Sequence, residues 1–119
     1  MIEVVNVKVA NIRPKYKNLK EWIDDDKNNV YIGRKGVVFI DGKRYPNEDS
    51  VWHNPYKINK NRTREDVIEK YKIYIMEKIK KENLQMELEK LKNKQLGCWC
   101  KPLCCHGDVL LDIINNHIN

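Results

Sequence analysis

The chain has 119 residues, the size of one ordinary domain, which predicts a single folded unit over residues 1–119 and argues against a two-domain enzyme. Hydrophobic residues make up 41% and charged residues 34%, so the chain is polar but has enough apolar material for one core. No apolar run approaches the roughly 20 residues needed to cross a bilayer, which predicts a soluble, intracellular protein without membrane contacts.

The net charge favours an anionic partner but is weak evidence by itself. Lysine and arginine number 23 against 17 acidic residues, giving +6, which suits nucleic acid or a nucleotide. Only five of the 23 are arginine, the residue whose planar fork best matches phosphates and base edges. An AT-rich gene would also produce this excess of lysine, asparagine and isoleucine.

The first half of the chain predicts strands and a hairpin. Residues 2–10 are rich in β-branched side chains and predict a strand, and Leu19 and Trp22 predict a short helical turn. Residues 30–32 predict a second strand. Two further short strands, 37–40 and 43–45, flank Asp41-Gly42, a dipeptide that favours the tight turn of a hairpin.

The second half predicts helices after a structured loop over residues 46–62. Thr63 stands three residues before Asp66, the spacing of a capping box, and apolar side chains then follow helical spacing over residues 64–81. The pattern continues to Lys92 as one long helix or as two helices joined at Asn83.

A buried strand over residues 96–99 and a last helix beginning near Gly107-Asp108 complete the prediction. Together these elements predict an α/β fold: one compact domain with a small mixed β-sheet, a β-hairpin and two to four helices.

All four cysteines lie within eight positions, Cys98 to Cys105. A disulfide framework would join distant segments, so metal binding or thiol chemistry fits better. Three thiolates and one imidazole would satisfy a tetrahedral zinc ion, and Pro102 can turn the chain so that the later residues return toward the strand. The predicted zinc ligands are Cys98, Cys100, Cys105 and His106.

Two other interpretations of the same cluster stay open. Cys100 or Cys105 could be a catalytic nucleophile, with His106 as its neighbouring base or cation and the start of the last helix lowering the thiol pKa. Alternatively, the cysteines are small buried residues packed beside Trp99. Asp108 is expected to cap the last helix, or else to orient the imidazole of His106.

These motifs resemble a family of domains of unknown function found in bacteria, phages and large DNA viruses. The family pattern reads V-Y-I-G-R, then W-G-N-P-F, then C-W-C-x-P-x-x-C-H-G-D. The chain has His53 where glycine is usual, Tyr56 where phenylalanine is usual, and an extra cysteine at Cys104. The matching segments here are residues 30–34, 52–56 and 98–108. The resemblance implies one compact α/β domain without an established activity, and, if the source is viral, a location in the host cytoplasm or nucleus.

The remaining polar residues of these motifs predict a ligand site. Arg34, Asn54 and Arg64 are expected to converge with the cysteines on one anionic ligand, and Trp52 to contact that ligand. Arg64 is the most telling, because the start of a helix favours anions and an arginine there needs a partner. Alternatively, these residues fix a loop and form surface ion pairs.

Three functions remain open from the sequence. The first is a zinc-stabilised domain that binds nucleic acid or a nucleotide without catalysis, through cations and stacking aromatic rings such as Trp52 and Tyr56. The second is a small enzyme on a nucleotide or nucleobase-like substrate that uses a Cys/His pair or metal-bound water. The third is a structural or protein-interaction module.

Overall fold

The computed structural model describes residues 2–101 and 103–117. The described residues form five strands and five helices, two of which are single turns. In chain order these elements are β1 (Glu3–Asn6), α1 (Val9–Ile12), α2 (Leu19–Asp25), β2 (Asn29–Tyr31), β3 (Val38–Ile40), β4 (Lys43–Tyr45), α3 (Arg64–Lys81), α4 (Gln85–Glu89), β5 (Gln95–Cys98) and α5 (His106–His117).

The main sheet is parallel, with the order β1-β5-β2. Val4 of β1 and Val30 of β2 both pair with Leu96, so the last strand lies between the two earlier ones. Parallel strands need long connections, and the intervening helices provide them. Because all three strands run the same way, their carboxyl ends meet at one edge of the sheet.

The central strand β5 presents its side chains alternately to two cores. Leu96 and Cys98 belong to the larger core, which also contains buried side chains of α3, α4 and α5. Gly97 faces the smaller core, where a Cβ atom would come within 2.7 Å of the Trp22 ring and 2.8 Å of Val7. Glycine is therefore required at this position for the close packing of α2 on the sheet.

The long helix α3 begins and ends where the sequence predicts. Thr63 Oγ1 accepts a hydrogen bond from Asp66 N at 3.1 Å, and Asp66 accepts one in return from Thr63 N at 2.9 Å, which completes the capping box. Asn83 has φ of 55°, a left-handed conformation that ends the helical path. The chain therefore forms two helices here rather than one.

The α/β class and the hairpin are confirmed, with three differences in detail. The strands form two separate sheets, the parallel one and the β3–β4 hairpin, instead of one mixed sheet. The described residues contain five helices, against the two to four expected. The first strand ends at Asn6, whose side chain accepts a hydrogen bond from Lys8 N at 2.9 Å and turns the chain into α1.

None of the described helices combines the length and apolar character that crossing a bilayer requires.

Candidate functional site

A cavity of about 280 Å³ lies beyond the carboxyl ends of β2 and β5. Arg34 follows β2 and reaches the cavity from one side, and Cys100 follows β5 and reaches it from another. Arg64, at the start of α3, and His106, at the start of α5, contribute to the same wall. Open α/β sheets bind ligands at this edge, where loops and helix starts converge.

The structure gathers six of the predicted site residues around this cavity and places two elsewhere. The cavity is lined in part by Arg34, Asn54, Arg64, Cys100, Cys105 and His106. Trp52 is 4% exposed within the larger core, where its carbonyl accepts a hydrogen bond from the buried Tyr71 hydroxyl at 2.7 Å. Cys98 is 1% exposed beneath the cavity. Neither Trp52 nor Cys98 lines the cavity.

Arg34 holds the loop that forms one side of the cavity. Its Nε donates to the carbonyl of Asn54 and its Nη2 to the carbonyl of Tyr56, both at 2.8 Å. The Asn54 side chain accepts a hydrogen bond from Tyr56 N at 2.9 Å, which tightens the same turn. Both partners of Arg34 are neutral carbonyls, so these bonds position the guanidinium without neutralising its charge.

Arg64 joins α3 to the cysteine segment. Its Nη1 donates to the carbonyl of Cys104 at 3.1 Å, and its guanidinium also bonds the thiol of Cys100. This contact explains an arginine in the first helical turn, because its charge is directed toward a sulfur and a carbonyl across the cavity instead of toward the helix axis.

Three of the four thiols meet in one cluster. The Cys105 side chain makes hydrogen bonds to the sulfurs of both Cys98 and Cys100. Cys98 also accepts bonds from the backbone of Cys100 and Lys101, and Cys105 Sγ accepts one from Gly107 N at 3.2 Å. The cluster is therefore held by amide donors as well as by its own S–H groups.

Within the cluster, the pKa of Cys100 is lowered and that of Cys105 is raised. Hydrogen bonding from Cys105, followed by the bond and charge of Arg64, lowers the pKa of Cys100 to about 5, although burial opposes the shift. The same contacts raise the pKa of Cys105, because its proton is shared with the neighbouring sulfurs. At neutral pH Cys100 is therefore a thiolate, Cys98, whose pKa is lowered to about 7, is partly ionised, and Cys105 keeps its proton.

The cysteine segment is anchored at several points. Leu103 N donates to Cys100 O at 2.8 Å, which reverses the chain between Cys100 and Cys105. Asp108 accepts hydrogen bonds from Cys105 N at 3.0 Å and from Lys101 Nζ at 2.6 Å. Asp108 thus caps α5, as predicted. The predicted turn at Pro102 lies outside the described residues.

One ring nitrogen of His106 is engaged by the backbone just after β2. Its Nε2 donates to the carbonyl of Ile32 at 2.7 Å, and its ring packs edge-on against Tyr71 with centroids 5.0 Å apart. Burial lowers the pKa of His106 to about 4, so the imidazole is neutral at pH 7. A Cys/His catalytic pair stays a prediction, and it would have to use the other ring nitrogen, Nδ1.

The described residues do not present the predicted zinc ligands as a preformed metal site. Within residues 2–101 and 103–117, no group of three or more Cys, His, Asp or Glu side chains is placed to hold a metal ion. The thiols of Cys98, Cys100 and Cys105 adjoin one another, but the bond to Ile32 engages one of the two imidazole nitrogens of His106. A zinc ion at this cluster stays a prediction.

Sequence reasoning missed residues that complete the site. Lys57 adds a third cation to the cavity wall. The Tyr31 hydroxyl accepts a hydrogen bond from Trp99 Nε1 and donates one to Arg34 O, both at 2.8 Å, and so joins the two motifs that end at Arg34 and Cys100. Tyr31 and Trp99 both lie in the family motifs, which indicated that each residue matters. No pattern in the sequence indicated that the two side chains contact each other.

Comparison with known proteins finds relatives without a described activity. The chain is 36% identical over 93 residues to "Uncharacterized protein R718" of Acanthamoeba polyphaga mimivirus, covering 71% of this chain and 65% of that protein. It is 43% identical over 54 residues to "Uncharacterized 12.4 kDa protein in nrdA-td intergenic region" of Enterobacteria phage T4, covering 44% and 50%. The chain thus spans between half and about two thirds of these relatives. No solved structure matches it significantly.

A family comparison covers most of the chain. Residues 15–116 match a family described as "Domain of unknown function (DUF4326)", a range that includes the cavity, the thiol cluster and all the motifs that the resemblance rests on. The chain belongs to the DUF4326 family.

Proposed function

We propose that the cavity binds a small anionic ligand of nucleotide size. The observation that carries this proposal is the charge of the wall: Arg34, Lys57 and Arg64 line the cavity, and no carboxylate does so among the described residues. Three cations around a partly enclosed, low-dielectric space attract a phosphate or carboxylate more strongly than isolated surface lysines do.

The uncharged part of the cavity wall can accommodate a planar ring such as a nucleotide base. The side chains of Val37, Ile58, Val67 and Ile68 share the cavity with the ring of Tyr56. The cavity volume of about 280 Å³ is near the lower end of the roughly 300–1,000 Å³ found for small-molecule sites. A mononucleotide, with its phosphate at the cations and its base against the apolar wall, matches both the size and the polarity.

Arg34 keeps its charge available for such a ligand. None of the ion pairs among the described residues includes Arg34, whose hydrogen-bond acceptors are the backbone carbonyls of Asn54 and Tyr56. Positive charge that is oriented by neutral acceptors is preorganised, so a phosphate gains hydrogen bonds there without reorganising the loop. Arg64 divides its hydrogen bonds between the Cys104 carbonyl and the Cys100 sulfur.

Titration of 5′-nucleoside monophosphates by calorimetry tests the proposal. We expect Arg64→Ala to weaken binding at least about tenfold, the effect of losing one charge-assisted hydrogen bond. Lys94→Ala is the matched control, because Lys94 lies at the amino end of β5 and bonds Asn28 there, so its affinity should stay within about twofold of wild type. Equal affinities for all three proteins would contradict the proposal.

Single-stranded oligonucleotides distinguish a mononucleotide site from a nucleic-acid surface. A site for one phosphate predicts that the logarithm of affinity falls with the logarithm of salt with a slope of about one or less. Oligonucleotide binding with a much steeper slope, together with no mononucleotide binding, would instead assign the basic surface to nucleic acid.

A second candidate function is a small thiol-dependent enzyme acting on the bound nucleotide. The observation that favours it is the position of Cys100, whose thiolate lies on the cavity wall beside Arg64. Chromatography of a nucleotide panel after incubation with the protein would detect conversion, and Cys100→Ala should abolish conversion while retaining binding. Binding of nucleotides without conversion of any of them would contradict the enzyme function, and only the ligand-binding function would remain.

A further inference from the structure

We infer that Cys100 and Cys105 form a dithiol pair that exchanges with low-molecular-weight disulfides, with Cys100 as the attacking thiol and Cys105 as the resolving thiol. This inference is independent of nucleotide binding. It rests on the contact between the two sulfurs, on the turn that brings them together and on their unequal access to solvent.

The chain path brings the two thiols together. The hydrogen bond from Leu103 N to Cys100 O at 2.8 Å reverses the chain after Cys100, and Cys105 N is held by Asp108 at 3.0 Å. The side chain of Cys105 lies within hydrogen-bonding reach of the Cys100 sulfur, and both residues line the same cavity. A disulfide between them therefore needs only a short approach of the two sulfurs.

The two thiols differ in access, which assigns their roles. Cys100 is partly exposed on the cavity wall, where a small disulfide can reach its sulfur. Cys105 is 2% exposed and Cys98 is 1% exposed, so neither can reach a dissolved disulfide to attack it first.

The exchange balances in two steps. The Cys100 thiolate attacks one sulfur of oxidised glutathione, forming a mixed disulfide and releasing one glutathione thiolate. Cys105 then attacks the sulfur of Cys100, the S–S bond to glutathione breaks, and the Cys105 proton passes to one departing thiolate. The other glutathione thiolate takes from water the proton that Cys100 released when it ionised. The protein dithiol is oxidised by two electrons, and one molecule of oxidised glutathione becomes two molecules of reduced glutathione.

Mass spectrometry after incubation with oxidised glutathione tests this assignment. The wild-type protein should lose the mass of two hydrogens, and peptide mapping should place the disulfide between Cys100 and Cys105. Cys105→Ser should stop at a glutathione adduct on Cys100, and excess reduced glutathione should reverse both products. Cys104→Ser is the control: it removes the exposed thiol on the same cavity wall and should still form the disulfide between Cys100 and Cys105.

Other outcomes would overturn the inference. A wild-type disulfide that uses Cys104 or Cys98, or first modification at Cys104 instead of Cys100, would contradict the assigned roles. The wild-type peptide map remains decisive if Cys105→Ser does not fold. One zinc ion per chain in protein purified without added metal, together with protection of all three clustered thiols from glutathione, would also overturn it.

Discussion

The amino end and the carboxyl end of the parallel sheet are formed by the same strands, but the polar residues at the two ends differ in their contact with water. At the amino end, Lys94 Nζ donates to the Asn28 side chain at 2.9 Å, and Gln95 N donates to Asn28 O at 2.8 Å, among residues in contact with water. At the carboxyl end, Cys105 is buried and His106 is half-buried, and both line a cavity together with Arg34 and Arg64. Lysine at the solvated end thus adds to the net charge without forming a site.

The contrast between the two ends explains why the net charge of the chain says little about the charge at the cavity. A lysine at the amino end is compensated by water and a neighbouring amide, so its replacement costs little. Arg64 at the carboxyl end is fixed by a carbonyl and a thiol. Substitutions at the carboxyl end should therefore change the free energy of unfolding, its dependence on pH and the affinity for an anion. Matched substitutions at the amino end should leave these quantities near their wild-type values.

The largest expected effect on stability is at Gly97, near the carboxyl end. In Gly97→Ala the new Cβ would meet the Trp22 ring at 2.7 Å and Val7 at 2.8 Å, so α2 must shift from the sheet. We expect the free energy of unfolding to fall by about 1–3 kcal/mol, the usual cost of overpacking. Urea denaturation measures this loss, and an unchanged midpoint would show that α2 does not pack as closely as described.

Lys94→Ala, at the other end of the same strand, is the control for that measurement. Its side chain makes an exposed hydrogen bond to Asn28, so the expected loss is below about 0.5 kcal/mol. A loss equal to that of Gly97→Ala would remove the distinction between the two ends.

The next effect is a pH dependence of stability caused by His106. Burial lowers the pKa of His106 from 6.5 to about 4, so between these values the unfolded chain binds a proton that the folded chain does not. The free energy of unfolding therefore falls as the pH is lowered through this window, by up to about 1.4 kcal/mol per pH unit. The contribution is fully present above pH 6.5.

His106→Gln isolates this contribution, since glutamine can still donate a hydrogen bond but cannot titrate. The low pKa of Cys100 adds a similar slope above pH 5 in both proteins, so the comparison is between the two slopes. Chemical denaturation from pH 4 to pH 7 should give a shallower dependence for the variant by about one proton. Identical slopes would place His106 in contact with water.

Local signals predicted the local elements. Thr63 and Asp66 defined the start of α3, and Asp41-Gly42 defined the hairpin turn, with φ values of 52° and 78°. The place of β5 between β1 and β2 could not be predicted in this way, because it depends on pairing Leu96 with residues far away in the chain. The division of the strands into two sheets has the same origin.

The sequence predicted which residues form the candidate site, but it did not predict how they are oriented or which groups they contact. Residue types and motifs pointed to Arg34, Asn54, Arg64 and the cysteine segment, and these residues share one cavity. The orientation of His106 toward Ile32 depends on packing against the sheet, which no local pattern encodes. For the same reason, the burial of Trp52 could not be separated from a ligand-stacking role by sequence alone.

The rate at which iodoacetamide modifies Cys100 at pH 6, with and without AMP, tests most directly whether the thiolate and the anion-binding cavity form one site. Because the pKa of Cys100 is lowered to about 5, this thiol should already react at pH 6. AMP should slow the reaction at least about tenfold in the wild-type protein and in Lys94→Ala but not in Arg64→Ala. A Cys100 rate that rises only near the ordinary thiol pKa of about 8.5, and that AMP leaves unchanged, would contradict both the thiolate and the cavity.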